Sequence, residues 1–449
     1  MKNFYIFLFS FILCFLVANV QGQNDIEILK ANAYLQQKGE VYFTFNIQSK
    51  NEINELTQII SIDNVKNLQV WAYANTNEFN AFLSKGYSFE VLLHPGDAEA
   101  EMWDQTKGIW EFDTYPTYPQ YETMMATYAS SYPNLCRLDT IAILASGRKL
   151  LCVKISDNVN VNEGEPEFFY SGTIHGDETT GYILLLRLIN YLLTNYNTDS
   201  RIANIVNNTE LFVCPLANPN GTYKGGDLSV SGATRGNANN IDCNRNFPDP
   251  RAGLHPDGQV WQEETVAFMA FADEHDFVMG ANTHGGASVA NYPWDTWTTA
   301  GNPHADANWW AYVSKEYADT AIYYGPANYF KDVVSTGYTE GGDWYVITGG
   351  RQDYMNWYHH CRELTLELSV TKLLAATQLQ NYWNYNYRSL LNYLEHVTFG
   401  IHGVITDACT GQPVHAKVYV NSHDQDNDSS FVYSTVSVGD YHRPIKAGT

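Results

Sequence analysis

The chain has 449 residues, 45% of them hydrophobic and 14% aromatic, which is ample for a large core and excludes a disordered or fibrous protein. Its 26 basic and 49 acidic side chains leave a formal charge of −23. Such a surface repels nucleic-acid phosphates and attracts basic peptides weakly, so nucleic acid is excluded as a partner.

In chain order, Lys2 precedes an apolar run from Phe4 to about Val20 that ends in small and polar residues, with Val20 and Gly22 placed for cleavage. Residues 1–22 therefore read as a secretory signal peptide. No later stretch reaches the roughly eighteen apolar residues of a membrane span. The mature protein is expected to be exported, secreted or periplasmic, without stable membrane insertion and as a monomer. Beyond Cys14 the cysteines are Cys136, Cys152, Cys214, Cys243, Cys361 and Cys409; no CxxC pair appears, and their pairing stays open.

Residues 24–112 alternate polar and apolar positions in "EVYFTFNI", "LQVWAYA" and "YSFEVLL", around a helical stretch near 77–86. This reads as a small α+β region, either a pro-segment or an accessory domain. It closes in the acidic "GDAEAEMWDQ" and the Pro/Tyr-rich "FDTYPTYPQYE", a plausible boundary. Residues 113–399 alternate buried strands with long helical patterns, the signal of an α/β fold. Strands are expected over 165–174, 210–217, 277–283 and 363–369, with helices over 178–196 and 371–397. Residues 400–449 change to short strand-like runs between turn residues, an all-β tail.

Two His-x-x-Glu pairs occur, His175/Glu178 in "GTIHGDETTG" and His360/Glu363 in "HCRE". The spelling is too cheap to separate them. His175 lies where a buried strand gives way to a helix, the place where open α/β sheets build ligand crevices, and Glu178 is expected in the first helical turn. His360 precedes a strand, where residues three apart face opposite ways. The first pair is the better metal site. A catalytic zinc takes three protein ligands, and His284, directly after the strand at 277–283, is the candidate third; by itself it reads rather as a satisfied structural histidine. The polar loops "NPNGT", "TRGNANN" and "DCNRNFPDP" carry Arg235, Asn244 and Arg245, suited to a carboxylate or equally to surface ion pairs. Glu367 in "LTLELS" alternates with Leu364, Leu366 and Leu368, so it either faces a cleft as a general base or is an ordinary strand glutamate.

Taken in order, "HGDE", "NPNG", "TRGN", "DCNRNFP", "THGGASVANYPWD", "GGDWYVITGGRQDY" and "CRELTLELS" resemble a zinc metallocarboxypeptidase, on the regulatory branch of carboxypeptidases D, E, N and M. The resemblance covers about 118–399, and the tail resembles the transthyretin-like β domain that follows in that branch. It implies a mixed central sheet flanked by helices and one zinc ion held by His175, Glu178 and His284, with Asp242 orienting a ligand histidine. It implies Glu367 as the base that activates the attacking water and protonates the leaving amine, and Arg235 as the group polarising the scissile carbonyl. Asn244, Arg245 and Tyr345 would hold the terminal carboxylate of a peptide or protein substrate. Asp295 and Gln352 would line a pocket for a C-terminal Lys or Arg. Two departures stand out: "NPNG" replaces Asn-Pro-Asp-Gly, and Arg351 sits beside Gln352 where an arginine turned inward would neutralise Asp295. A cell-wall peptide hydrolase and a silent peptide-binding protein are the alternative readings.

Overall fold

The computed structural model describes residues 25–107 and 111–448, so the stretch read as a signal peptide lies outside the described residues. The chain divides into two compact units, residues 1–94 and 95–449. In the first, residues 25–38 are helical and four strands follow: β1 (Glu40–Asn46), β2 (Ser61–Lys66), β3 (Gln69–Asn75) and β4 (Phe89–Val91). They form an antiparallel sheet in the order β2-β3-β1-β4. Asn75 caps the helix Thr76–Leu83 by accepting from the N–H groups of Asn77 and Glu78, while Glu78 returns a bond to the Asn75 N–H. That helix lays Phe79 and Phe82 against Phe43 and Phe89. β2 gives no strand signal in sequence, because "SIDNVK" offers only two apolar residues.

The second unit is built on eight strands: β5 (Cys136–Ile143), β6 (Lys149–Ile155), β7 (Glu167–Gly172), β8 (Glu210–Cys214), β9 (Phe277–His284), β10 (Ala287–Tyr292), β11 (Tyr338–Glu340) and β12 (Arg362–Ser369). Their order is β11-β10-β12-β9-β7-β8-β6-β5; β12, β9, β7 and β8 run parallel, β10 pairs antiparallel with β12 and parallel with β11, and β6 and β5 are antiparallel on the other side. The sheet is mixed and flanked by helices on both sides. Successive residues choose opposite faces, as a pleat requires: Phe168 joins the core formed with the helices Thr180–Asn195 and Ala376–Glu395, and Phe169 packs with Phe268, Phe271 and Tyr354 on the other face.

From β7 the chain crosses to β8 on one side and later to β9 on the other. Such a reversal opens a crevice at the carboxyl ends of the strands. Gly181 allows the helix Thr180–Asn195 to close onto β9 there, since a Cβ at that position would stand 1.9 Å from Thr283 Oγ1. In the tail, β13 (Ile401–Val404) pairs with β16 (Asp440–Arg443) and β14 (Lys417–Val418) with β15 (Val432–Tyr433), two short antiparallel ribbons. Among the described residues no helix is long and apolar enough to cross a membrane.

Candidate metal centre and substrate pocket

The chain leaves β7 through Thr173, whose φ of +64° is an uncommon conformation for a β-branched residue and the kind of local strain that gathers at functional sites. It then turns tightly, with the Glu178 N–H donating to the His175 carbonyl at 3.1 Å. The helix begins only at Thr180, so Glu178 lies two residues before it rather than in its first turn. The physical reason is that Thr179 N–H and Gly285 N–H tie this segment to neighbouring loops: Thr179 donates to Lys372 O, and Gly285 donates to the Glu178 carboxylate.

His284 is the last residue of β9, which lies between its parallel neighbours β7 and β12. Its Nδ1 is 2.8 Å from Glu178 Oε2 and 3.0 Å from His175 Nδ1, and His175 Nδ1 is itself 3.0 Å from Glu178 Oε2. Three buried donor atoms thus meet at one point. Two imidazole nitrogens and a carboxylate oxygen converging this closely bring more lone pairs than protons, an arrangement that a small divalent cation resolves. The set of two His and one carboxylate is that of a catalytic zinc, so the residues fit the metal. On the far side of the ring, His175 Nε2 is 3.0 Å from Asp242 Oδ1, the orienting contact that metal-bound histidines take.

Around this triad the charges alternate. Arg235 donates through Nε to Asp242 Oδ2 at 3.0 Å and through Nη1 to Glu178 Oε1 at 3.2 Å. Lys372, which no motif singled out, donates from Nζ to Glu178 Oε1 at 2.6 Å. Burial pushes the Glu178 carboxyl up, but His175 and Lys372 outweigh it and hold it well below the usual range. Asp242 is likewise raised by burial and pulled well down by Arg235 and His175. Burial and Arg235 push the His175 imidazolium down, yet Glu178 and Asp242 leave it above its ordinary value. At His284 burial prevails and lowers it to about 4, which leaves the ring neutral and able to act as a ligand.

Glu367 on β12 stands in register with His284 on the parallel neighbour β9, so both side chains leave the sheet on the same side. Leu364, Leu366 and Leu368 are fully buried on the opposite face and Glu367 is half-buried. Asn244 and Arg245 lie in the 3-10 turn Cys243–Arg245, which Asp242 caps by accepting from Asn244 N at 2.8 Å. Arg245 Nη1 donates to Asn244 O and is 4.0 Å from Asp242 Oδ2, so Arg235 and Arg245 bracket one carboxylate. Tyr345 follows the short helix Gly341–Trp344, half-buried with its ring against Trp344.

Asp295 forms a second focus with Asn291, whose Nδ2 donates to it at 3.1 Å, and with Gln352 beside it. Burial, opposed by Asn291 and Arg245, raises the Asp295 carboxyl to about 6. Gly341 is required here, because a Cβ would stand 1.8 Å from Asp295 Oδ1. Arg351 does not turn towards Asp295. Its Nη2 pairs with Glu363 Oε2 at 2.9 Å, its Nη1 donates to Ser171, and its guanidinium lies over the rings of Phe169 and Phe268 at 4.6 and 5.1 Å. Glu363 already carries one negative charge within reach of that face, and two aromatic faces flank it, so the guanidinium takes that site. This also separates the second His-x-x-Glu pair, since His360 turns to Ser429 instead.

The family described as zinc carboxypeptidase matches residues 121–389. Human carboxypeptidase D is 35% identical over 353 residues, covering 74% of this chain and 24% of that protein, so the chain spans about a quarter of the carboxypeptidase D length. Mouse carboxypeptidase M is 32% identical over 73% of this chain and 75% of its own length. Among solved structures, carboxypeptidase A from Helicoverpa armigera superposes with a TM-score of 0.60 at 16% identity, covering 80% of this chain and 97% of that one. Thrombin activatable fibrinolysis inhibitor does so with 0.58 at 14% identity, covering 80% and 98%. Those two share the fold. By the extent of the family match and the identity to carboxypeptidases D and M, this chain belongs to the zinc carboxypeptidase family, on their branch of it.

Proposed function

We propose that the protein is an exported zinc carboxypeptidase that hydrolyses the last peptide bond of peptide or protein substrates and releases Lys or Arg. The observation that carries it is the convergence of His175 Nδ1, Glu178 Oε2 and His284 Nδ1 within 3.0 Å of one another. A zinc ion held there would supply a Lewis acid for the scissile carbonyl and lower the pKa of water. Arg245 and Asn244, with Tyr345, bind the terminal carboxylate and so confine the reaction to chain ends. Arg235 directs its guanidinium at the developing oxyanion. Glu367 takes the proton from the attacking water and returns it to the leaving amine. Asp295, at the floor of the pocket, disfavours neutral side chains because they would leave its carboxylate buried without a cation.

The test is chelator-sensitive release of C-terminal Arg, Lys, Leu and Phe from matched peptides. Glu367→Gln is expected to lower kcat by about 10²–10⁴-fold with zinc retained. Undiminished turnover in that variant sinks the mechanism, and equal rates on Arg and Leu peptides sink the specificity. Cleavage of cell-wall peptides in preference to Arg peptides would install the alternative hydrolase.

A further inference from the structure

We propose that Asp353 is a positioning residue for the substrate pocket: it holds Asp295 in the one orientation in which its carboxylate can receive the cationic end of a C-terminal Lys or Arg. The inference rests on the specificity reading given above and deepens it. Asp353 is 1% exposed and occupies the third position of the helix Arg351–Tyr358, directly after Gln352. A buried carboxylate is costly unless its oxygens are filled. Among the described residues no Lys or Arg pairs with it. Its oxygens accept instead from the backbone that carries Asp295: the Asp295 N–H at 3.0 and 3.1 Å and the Thr296 N–H at 2.7 Å.

The same short loop is fastened at two carbonyls and a hydroxyl. Trp294 O accepts from Gly342 N–H at 2.7 Å, and Asp295 O accepts from Ile347 N–H at 3.1 Å. Thr296 Oγ1 donates to Asp249 Oδ1 at 3.1 Å, and Asp249 in turn accepts from Gly349 N–H at 2.9 Å. The loop carbonyls are thus held by one segment and the loop amides by Asp353 alone. Without Asp353 the Asp295 N–H and Thr296 N–H would be buried donors lacking an acceptor, and the loop would rotate to find one. That rotation would carry the Asp295 carboxylate away from Asn291, whose Nδ2 donates to it.

The experiment compares the zinc-loaded full chain with Asp353→Ala, Asp353→Asn and Asp295→Ala on peptides differing only in a C-terminal Arg or Leu. For Asp353→Ala, KM for the Arg peptide is expected to rise about tenfold with kcat within about twofold, while KM for the Leu peptide stays put. Asp353→Asn keeps one acceptor oxygen and is expected to fall between the two. A general structural role would instead lower zinc content and kcat on both peptides alike, and that result overturns the proposal. An unchanged Arg/Leu ratio in Asp353→Ala, beside a collapsed ratio in Asp295→Ala, overturns this inference and leaves the specificity reading standing. An unchanged ratio in Asp295→Ala removes both. If Asp353→Ala does not fold, the ratio measured in Asp353→Asn decides.

Discussion

Both oxygens of the Glu178 carboxylate are committed. Oε2 faces His175, His284 and the Gly285 N–H, while Oε1 faces Lys372 and Arg235. One oxygen is thereby directed at the metal position and the other is neutralised by cations, which suits a ligand that must stay ionised in a dry site. Asp295 is the opposite case, a carboxylate left with an amide partner and lifted by burial to about 6. A group raised in this way is ionised above that value and takes up a proton as the pH falls through it. Its attraction for a cationic side chain is therefore present at pH 7 to 8 and lost towards pH 5. KM for an Arg peptide, measured from pH 5 to 8, is expected to rise on the acid side through about pH 6, while KM for a Leu peptide does not follow it.

At the scale of elements, the strand ends decide the site. His175 after β7 and His284 at the end of β9 are brought together because those strands are parallel neighbours, and both positions were readable as buried strand ends followed by glycine-rich turns. The α/β alternation and the long helices were readable for the same reason, their apolar periodicity. Lys372 and Asp353 were not, because each acts through contacts to loops distant in sequence, 194 residues away for Lys372 and Glu178 and 58 for Asp353 and Asp295. Nor was the destination of Arg351, which depends on how the helix Arg351–Tyr358 lies on β12. That helix–strand contact is held by a fully buried ion pair, Arg351 with Glu363, the two side chains 1% and 0% exposed. Burial raises the Glu363 carboxyl and Arg351 pulls it back. Arg351→Met is expected to destabilise the protein by about 3–5 kcal/mol by stranding the Glu363 charge, read as a lower urea midpoint. Adding Glu363→Gln should recover part of the loss.

Over the whole second unit, a buried charge network fastens the tail to the α/β body. Asp306 accepts from Arg362 at 2.9 Å and from Arg443 at 2.7 Å, and Arg443 also reaches Asp424 at 2.6 Å. Asp428 accepts from Ala305 N–H at 2.6 Å. Arg443 is the one residue of β16 that spans both carboxylates, so Arg443→Ala leaves Asp306 and Asp424 facing each other without it. Limited proteolysis is expected to cut faster near Phe399 and Gly400, where Phe399 is 61% exposed, while kcat on an Arg peptide changes by less than about twofold.

The two imidazoles that meet at 3.0 Å are separated by 109 residues of chain. Closing so long a loop carries a large entropic cost and waits on the non-local pairing of β7 with β9. Seen in time rather than space, the metal position does not exist while the chain is being assembled and comes into being only when the parallel strands have registered. Zinc held by all three ligands therefore requires the β7–β9 pairing, and its full occupancy reports that this pairing has formed.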